Sequence, residues 1–362
     1  MPSSDHMECA LSLARLAAGY SSPNPAVGAV VVRGGKVVGT GATAPWGGPH
    51  AERAALEEAG PRARGADLYV TLEPCCHHGR TPPCTDAIIR AGIARVFSAC
   101  RDPNALVDGR GEAALRAAGI QVVNGPCGEE AARLNEDFMY TATRGSPWIS
   151  VKLAMTIDGR IADAAGGSRW ITSERSRAYV QELRRRHAAV AVGRGTLVAD
   201  DPRLTVREAR GSGPARIVFS SSDRLSPDLR FCRDCGRTRS IVVVSGGAAP
   251  GRERRPDGLE LWHTGSRRRP ESFRSFLRMA HEEQLSSILV EGGSRLASFL
   301  LEQGLVNRAY FFWAPRIIGR GLEAVRFGRG LPLGEAIRLR DVQTMRFDDD
   351  VMMTGLLERR ND

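Results

Sequence analysis

The sequence predicts an α/β protein of two domains, and three observations carry that reading. Its 362 residues exceed the roughly 100 to 200 of an ordinary domain. Strand-like and helix-like patterns alternate in two successive series. Between the series, Arg144-Gly145-Ser146-Pro147 breaks a helical stretch just before a new strand, which divides the chain into residues 1–145 and 146–362.

In the first half, residues 5–19 read as a helix, and AVGAVVVRGGKVVGTGA (26–42) as a hairpin turning at Gly34-Gly35. Helix 50–60, strand 67–72, helix 84–92, strand 95–99, helix 110–118, strand 120–124 and helix 128–142 follow. Strands separated by helices imply a sheet covered on both faces. The second half opens on the strand WISVKLAMT and continues with helix 173–186 and strands 188–192, 215–219 and 240–245. Helix 271–283, strand 286–290, helix 294–302 and strand 307–314 come next. Two late strands, 342–348 and 351–358, read as an antiparallel pair turning at Asp348-Asp349-Asp350. Residues 246–270, rich in Gly, Pro and Arg, read as a surface excursion.

Hydrophobic content of 42% and charged content of 25% exclude wholesale disorder and fibrous architectures. No uncharged apolar run reaches the roughly 18 residues of a membrane span. Asp5, Glu8 and Arg15 fit neither a secretory leader nor a transit peptide, so a cytoplasmic location is expected. The net charge of +10 is uneven: residues 1–145 hold 14 basic against 15 acidic side chains, residues 146–362 hold 37 against 26. A basic second half suits a partner that carries phosphates. Eight cysteines in such a chain argue for metal binding or incidental thiols over a disulfide framework. Cys9, Cys100 and Cys127 read as small buried apolar groups, and Cys232 and Cys235, with no further ligands nearby, as an incidental surface pair.

His50-Ala51-Glu52 at a helix start, Glu73-Pro74-Cys75 after a strand, and Cys84 after Pro82-Pro83 form the zinc-deaminase arrangement. Three protein ligands leave one tetrahedral position to water, whose pKa the metal lowers to about 7. Glu52, a non-ligand, is the general acid/base that moves the water's proton to the ring and the leaving amine. A closed structural zinc site would need a fourth ligand and would leave Glu52 without a role. The residue types leave the third ligand open between His78, which stands where the generic motif has its second cysteine, and Cys84.

The second half has no convincing G-x-G-x-x-G. It does have Glu291-Gly292-Gly293-Ser294 between a strand and a helix, where backbone N–H groups could approach a pyrophosphate.

SSPNPAVGAVVV, GGPHAE, VTLEPCCHHGRTPPCTDAII, RDPN, VKLAMTIDGRIA, GGSRWITS, GTLVADDPRLTVR and ILVEGG together resemble the bifunctional riboflavin-biosynthesis deaminase/reductase family over essentially the whole chain. The resemblance implies a cytidine-deaminase-like α/β/α layered domain followed by a dihydrofolate-reductase-like α/β domain. It implies zinc and NADPH as cofactors and favours Cys84 over His78. It also implies that Asn24 holds the pyrimidine edge and that Arg80 reaches the ribose phosphate. For the reductase half it implies an NADPH site lined by Ala154, Trp170, Thr196, Asp200, Ser221, Gly293, Ser294, Arg295, Leu296, Ala297, Ser298 and Phe299. Ser168, Arg184, Leu204, Arg207 and Glu291 would hold the substrate, Arg184 and Arg207 as a fork for its phosphate. Lys152, one of only two lysines, and Asp200 are candidates near the reacting carbon. Ser220 stands where many relatives have Asp, which bears on how the adenosine ribose is held. The expected partners are a small phosphoribosyl pyrimidine and further copies of the chain in a homo-oligomer, with no nucleic acid and no membrane. A polynucleotide deaminase would be basic around its pocket, whereas residues 1–145 are not.

Overall fold

The computed structural model describes residues 4–79, 81–207, 213–247 and 249–358. It divides into two compact units, Met1–Gly145 and Ser146–Asp362, at a glycine that ends a helix with φ of 60°.

The first unit runs α1 (Ser4–Ala17), β1 (Gly28–Arg33), β2 (Lys36–Ala42), α2 (Ala51–Ala59), β3 (Asp67–Val70), α3 (Cys84–Ala91), β4 (Arg95–Ser98), α4 (Arg110–Ala117), β5 (Gln121–Asn124), α5 (Gly128–Leu134) and α6 (Glu136–Arg144). Its sheet has the order β2-β1-β3-β4-β5, with β1 antiparallel to both neighbours and β3, β4 and β5 parallel. Alternation along β1 sends Val30 and Val32 towards Met7 and Ala10 of α1. Ala29 and Val31 point to the other face, against Ala51 and Ala55 of α2 and Ile88 of α3. The sheet is therefore covered on both sides. The helix expected over 128–142 is two helices, broken at Asn135. That buried side chain accepts a hydrogen bond from Ala26 N (2.7 Å) and donates to Ala26 O (2.9 Å), a tertiary demand that helical periodicity does not reveal.

Helix α2 lies unusually close to the hairpin. A Cβ on Gly41 would stand 2.1 Å from Ala51 O, and one on Gly39 2.2 Å from Ala55 O. Gly41→Ala should push α2 off the sheet, at a cost of roughly 1–3 kcal/mol or more, and displace the residues at its start. A lower melting temperature together with weaker zinc retention is the expected result. Unchanged values of both would show that the close approach is dispensable.

The second unit comprises β6 (Trp148–Thr156), β7 (Arg160–Asp163), α7 (Glu174–Arg186), β8 (Ala189–Gly193), α8 (Arg194–Asp200), β9 (Ala215–Ser220), α9 (Arg230–Arg233), β10 (Ser240–Val244), β11 (Pro250–Arg254), β12 (Leu259–Thr264), α10 (Arg269–Glu282), β13 (Ser287–Glu291), α11 (Ser294–Glu302), β14 (Arg308–Ala314), β15 (Gly321–Glu323), β16 (Leu339–Phe347) and β17 (Asp350–Leu357). Ten strands form one sheet in the order β11-β12-β10-β9-β8-β13-β6-β14-β17-β16. The run from β12 to β14 is parallel, and antiparallel strands close both edges. On one face Ile149, Val151 and Leu153 pack with Phe276 of α10 and Leu300 of α11. The opposite face is covered by Val180 and Leu183 of α7 and by Leu197 of α8 and Phe231 of α9.

Two expectations are corrected here. Residues 246–270 are not a surface excursion: β12 is an interior strand, paired in parallel with β10, and Trp262 on it is fully buried. The Gly, Pro and Arg around it mask a short alternating run. Cys232 and Cys235 are not a surface pair, because both pack into the cluster of Phe231, Leu259 and Leu261, and Cys235 Sγ donates to Asp257 O (3.1 Å). The late pair is antiparallel, but Asp350 is more than a turn residue. Its buried carboxylate accepts from Ser173 N and Ser176 Oγ, both at 2.6 Å, and so ties the start of α7 to the last hairpin.

The strand order fixes where a ligand belongs. From β8 the chain proceeds to β9 on one side, and from β13 to β14 on the other. Adjacent parallel strands that leave in opposite directions open a crevice beyond their carboxyl ends. Here that crevice is entered by Gly193-Arg194 and Gly292-Gly293.

Candidate active sites

In the first unit, His50 precedes the first turn of α2, Cys75 follows β3, and buried Cys84 opens α3. Both sulfurs converge on one ring nitrogen, with Cys75 Sγ 3.6 Å and Cys84 Sγ 3.4 Å from His50 Nδ1. All three donor atoms lie within 4.8 Å of one another. Cys84 N–H also points at Cys75 Sγ (3.4 Å). The far ring nitrogen, Nε2, meets Thr81 Oγ1 at 3.3 Å. A proton on Nε2 leaves Nδ1 free as a ligand, the usual way an outer group orients a metal-binding imidazole. The hydrogen bond from Cys84 and the nearby His50 hold the Cys75 thiol down at about 4, against burial. The same Cys84–Cys75 bond, with burial, pushes Cys84 up. One nitrogen and two sulfurs suit zinc, and the set leaves a tetrahedral position open. Among the described residues no other group of three or more histidine, cysteine or acidic side chains converges in this way, and His78 is exposed.

Glu52 is 4% exposed. Burial, and then the negative charge of Cys75, raise its carboxyl to about 7. Behind Cys75, buried Glu73 accepts from the N–H groups of Asp102 (3.3 Å), Gly109 (3.0 Å) and Glu112 (3.2 Å). It thereby anchors the RDPN loop and the start of α4 to the metal-ligand strand. Thr81 does not stand out by sequence pattern, and Glu73, although it heads Glu73-Pro74-Cys75, carries no sequence signal of this anchoring role. Asn24 lies in the turn before β1, two residues from the Ala26 backbone that Asn135 clamps. Arg80 lies outside the described residues.

In the second unit, Gly292 and Gly293 take φ of 63° and 77°, a left-handed pair that side chains resist. A Cβ on Gly293 would stand 2.7 Å from Thr196 Oγ1, so Thr196 and the glycine turn face each other across the switch point. Ala154 packs beside Phe312. Exposed Trp170 carries the Arg177 guanidinium 4.4 Å above its ring. Ser168 Oγ donates to Asp200 Oδ1 (2.9 Å), which joins two of the expected site residues, and Ser221 is exposed just past β9.

Other expected residues sit differently. Leu296, Ala297 and Phe299 pack into the core, and Ser298 Oγ accepts from Arg326 N (2.8 Å). Gly293, Ser294 and Arg295 stand ahead of these packing side chains, at the head of α11. Leu204 is likewise a core side chain. The two arginines expected to form a phosphate fork both lie along α7, where Arg207 N donates to Gln181 Oε1 (3.1 Å). Arg184 meets Glu291 through Nε and Nη2 and donates from Nη1 to Thr205 O, because a guanidinium this enclosed needs a carboxylate. Arg207 is exposed, and its guanidinium meets no acceptor among the described residues. Lys152 is paired in register with Glu291 on the neighbouring strand. Burial pushes its ammonium below the ordinary value while Glu291 opposes that shift.

The first unit's ligand set with a buried carboxylate beside it, on a sheet layered between helices, is that of the zinc-dependent base deaminases. Residues 2–100 match the cytidine and deoxycytidylate deaminase zinc-binding region, and residues 147–353 match the RibD C-terminal domain. The chain belongs to the RibD family of riboflavin-biosynthesis proteins. It is 41% identical over 350 residues to the riboflavin biosynthesis protein RibD of Aquifex aeolicus, covering 96% of this chain and 97% of that one. With the RibD of Escherichia coli it shares 39% identity over 347 residues, 88% and 89% of the two chains. The solved structure of a diaminohydroxyphosphoribosylaminopyrimidine deaminase/5-amino-6-(5-phosphoribosylamino)uracil reductase from Thermotoga maritima superposes with a TM-score of 0.83 at 36% identity over 98% of each chain. Form 1 of Acinetobacter baumannii RibD gives 0.87 at 31% identity, again over 98% of each. A deaminase and a reductase of riboflavin biosynthesis are thus joined in one chain. Among the described residues no helix is long and apolar enough to cross a membrane.

Proposed function

We propose that the first unit hydrolyses the 2-amino group of 2,5-diamino-6-(5-phosphoribosylamino)pyrimidin-4(3H)-one, and that the second reduces the ribosyl group of the product to ribityl with NADPH. The observation that carries the reading is Glu52, a buried carboxylate two residues from His50 that is not part of the ligand set. His50, Cys75 and Cys84 would hold zinc, with Thr81 fixing the imidazole. The ion supplies a water acidified to near neutrality and a Lewis acid. Glu52 would take one proton from the attacking water and deliver it to the ring nitrogen, then take the second from the newly added C2 hydroxyl and give it to the amine, so that the C–N bond breaks and ammonia leaves as the carbonyl forms. Asn24 offers one acceptor and two donors for the pyrimidine edge.

In the second unit, the N–H groups of Gly293, Ser294 and Arg295 have no backbone acceptor among the described residues, which leaves them for a pyrophosphate at the head of α11. NADPH, when bound there, would supply hydride to the ribose C1 as its bond to the ring oxygen breaks. Lys152, enclosed between Glu291 and the Phe312 ring, is placed to move a proton at the ribose ring oxygen as it opens. Glu291 holds Lys152 and Arg184 in position, Asp200 fixes Ser168, and exposed Arg207 is free to take the substrate phosphate. A small phosphoribosyl substrate, not a polynucleotide, fits the near-neutral charge of the first unit.

Supplied with the diamino pyrimidine alone, the zinc-loaded protein should release ammonia. Added NADPH should then be oxidised in about equal amount to the ammonia formed. Absence of ammonia would overturn the deaminase assignment, and equal use of NADH the cofactor assignment.

A further inference from the structure

The carboxyl ends of β8 and β9, beside the switch-point crevice, carry a cation with no counter-charge among the described residues. Arg194, the first residue of α8, is half-buried. Its Nη1 donates to Arg224 O (2.7 Å) and Ser220 Oγ (3.4 Å). Both acceptors are neutral, and Nε and Nη2 have no acceptor among the described residues. Most other half-buried guanidinium groups here meet a carboxylate, as Arg239 does with Glu260 and Glu283 and Arg184 with Glu291. A cation in the first turn of a helix also stands against the helix dipole. Two costs at one position, with the side chain pinned rather than loose, point to a ligand that supplies the missing negative charge.

The place of Arg194 identifies that ligand. Strand β9 lies two strand spacings, roughly 10 Å, from the glycine turn after β13. A dinucleotide whose pyrophosphate bound at that turn could reach the ends of β8 and β9 with its adenosine ribose. There Ser220 is locked into a tight turn, its Oγ donating to Ser222 O (2.6 Å) and accepting from Ser222 N (3.2 Å). We propose that Arg194 binds the 2′-phosphate of the cofactor and sets the preference for NADPH over NADH, an inference that rests on the cofactor reading above.

The test is titration of the full-length protein with NADPH and NADH at fixed salt, and with 2′,5′-ADP against 5′-ADP. Arg194→Gln removes a charge-assisted hydrogen bond to the phosphate, so it should weaken binding of NADPH and 2′,5′-ADP about 10- to 100-fold, with NADH and 5′-ADP changed less than about threefold. Retention of the wild-type ratio by R194Q would overturn the role of Arg194 and leave the cofactor reading intact. Absence of discrimination in the wild type would remove both. If R194Q lost all four ligands, R194K decides: restored preference supports the charge, whereas loss in both variants assigns Arg194 to the fold and ends the proposal.

Discussion

Glu52→Gln should lower ammonia release by about 10²–10⁴-fold while zinc stays bound and the reductase stays active. Glutamine keeps the volume and still hydrogen-bonds a water at the open ligand position, yet it can neither accept that water's proton nor return it. Because Glu52 is buried at the inner face of α2 and not among the ligands, metal content should not change. In the proposed mechanism the same residue serves more than one proton transfer, so the loss should lie at the upper end of that range. Given the already deaminated pyrimidine, the variant should oxidise NADPH at the wild-type rate. Given the diamino compound, it should oxidise almost none. Near-normal ammonia release would refute the role of Glu52, and loss of both activities would mean that the two sites do not work independently.

The deaminase site was legible because its chemistry is local. His50 and Glu52 share a helix start and Cys75 follows a strand within a short stretch, while Cys84 is preferred to His78 only through the family resemblance. The reductase site was less so. The glycine pair at 292–293 could be read from its neighbours, but a stretch of sequence does not show which side of α11 faces the core, and Leu296, Ala297 and Phe299 proved to be packing residues. Arg184 was legible as a cation but not as one already bound to Glu291, more than a hundred positions away. Strand β12 escaped notice because its six residues follow a Gly- and Arg-rich stretch, and α8 because it begins directly at the end of β8 with no loop or side-chain cap to announce it. That missing loop is also what brings Arg194 to the crevice. Strand order, set by pairings far apart in sequence, defines the crevice itself, and periodicity carries no information about it.

The choice between His78 and Cys84 as third ligand has the sharpest test. Cys84→Ser should bring zinc to near zero after dialysis against a mild chelator and take deamination below detection, whereas His78→Ala should retain about one zinc per chain and most of the activity. The geometry supplies the reason: Cys84 Sγ lies 3.4 Å from His50 Nδ1 and its own N–H reaches Cys75 Sγ at 3.4 Å, while His78 is exposed. Serine is nearly the size of cysteine but offers a hydroxyl whose proton zinc does not readily displace near neutrality, so the loss is one of ligand chemistry more than of packing. Thr81→Val should fall between the two, because removing a group that orients a ligand typically weakens metal binding about 10- to 100-fold. Since zinc binds the folded unit, adding it should raise the melting temperature of the wild type and of H78A and leave that of C84S unmoved. Zinc retained by C84S and lost by H78A would transfer the ligand role to His78 and require the loop between Cys75 and Cys84 to turn inward.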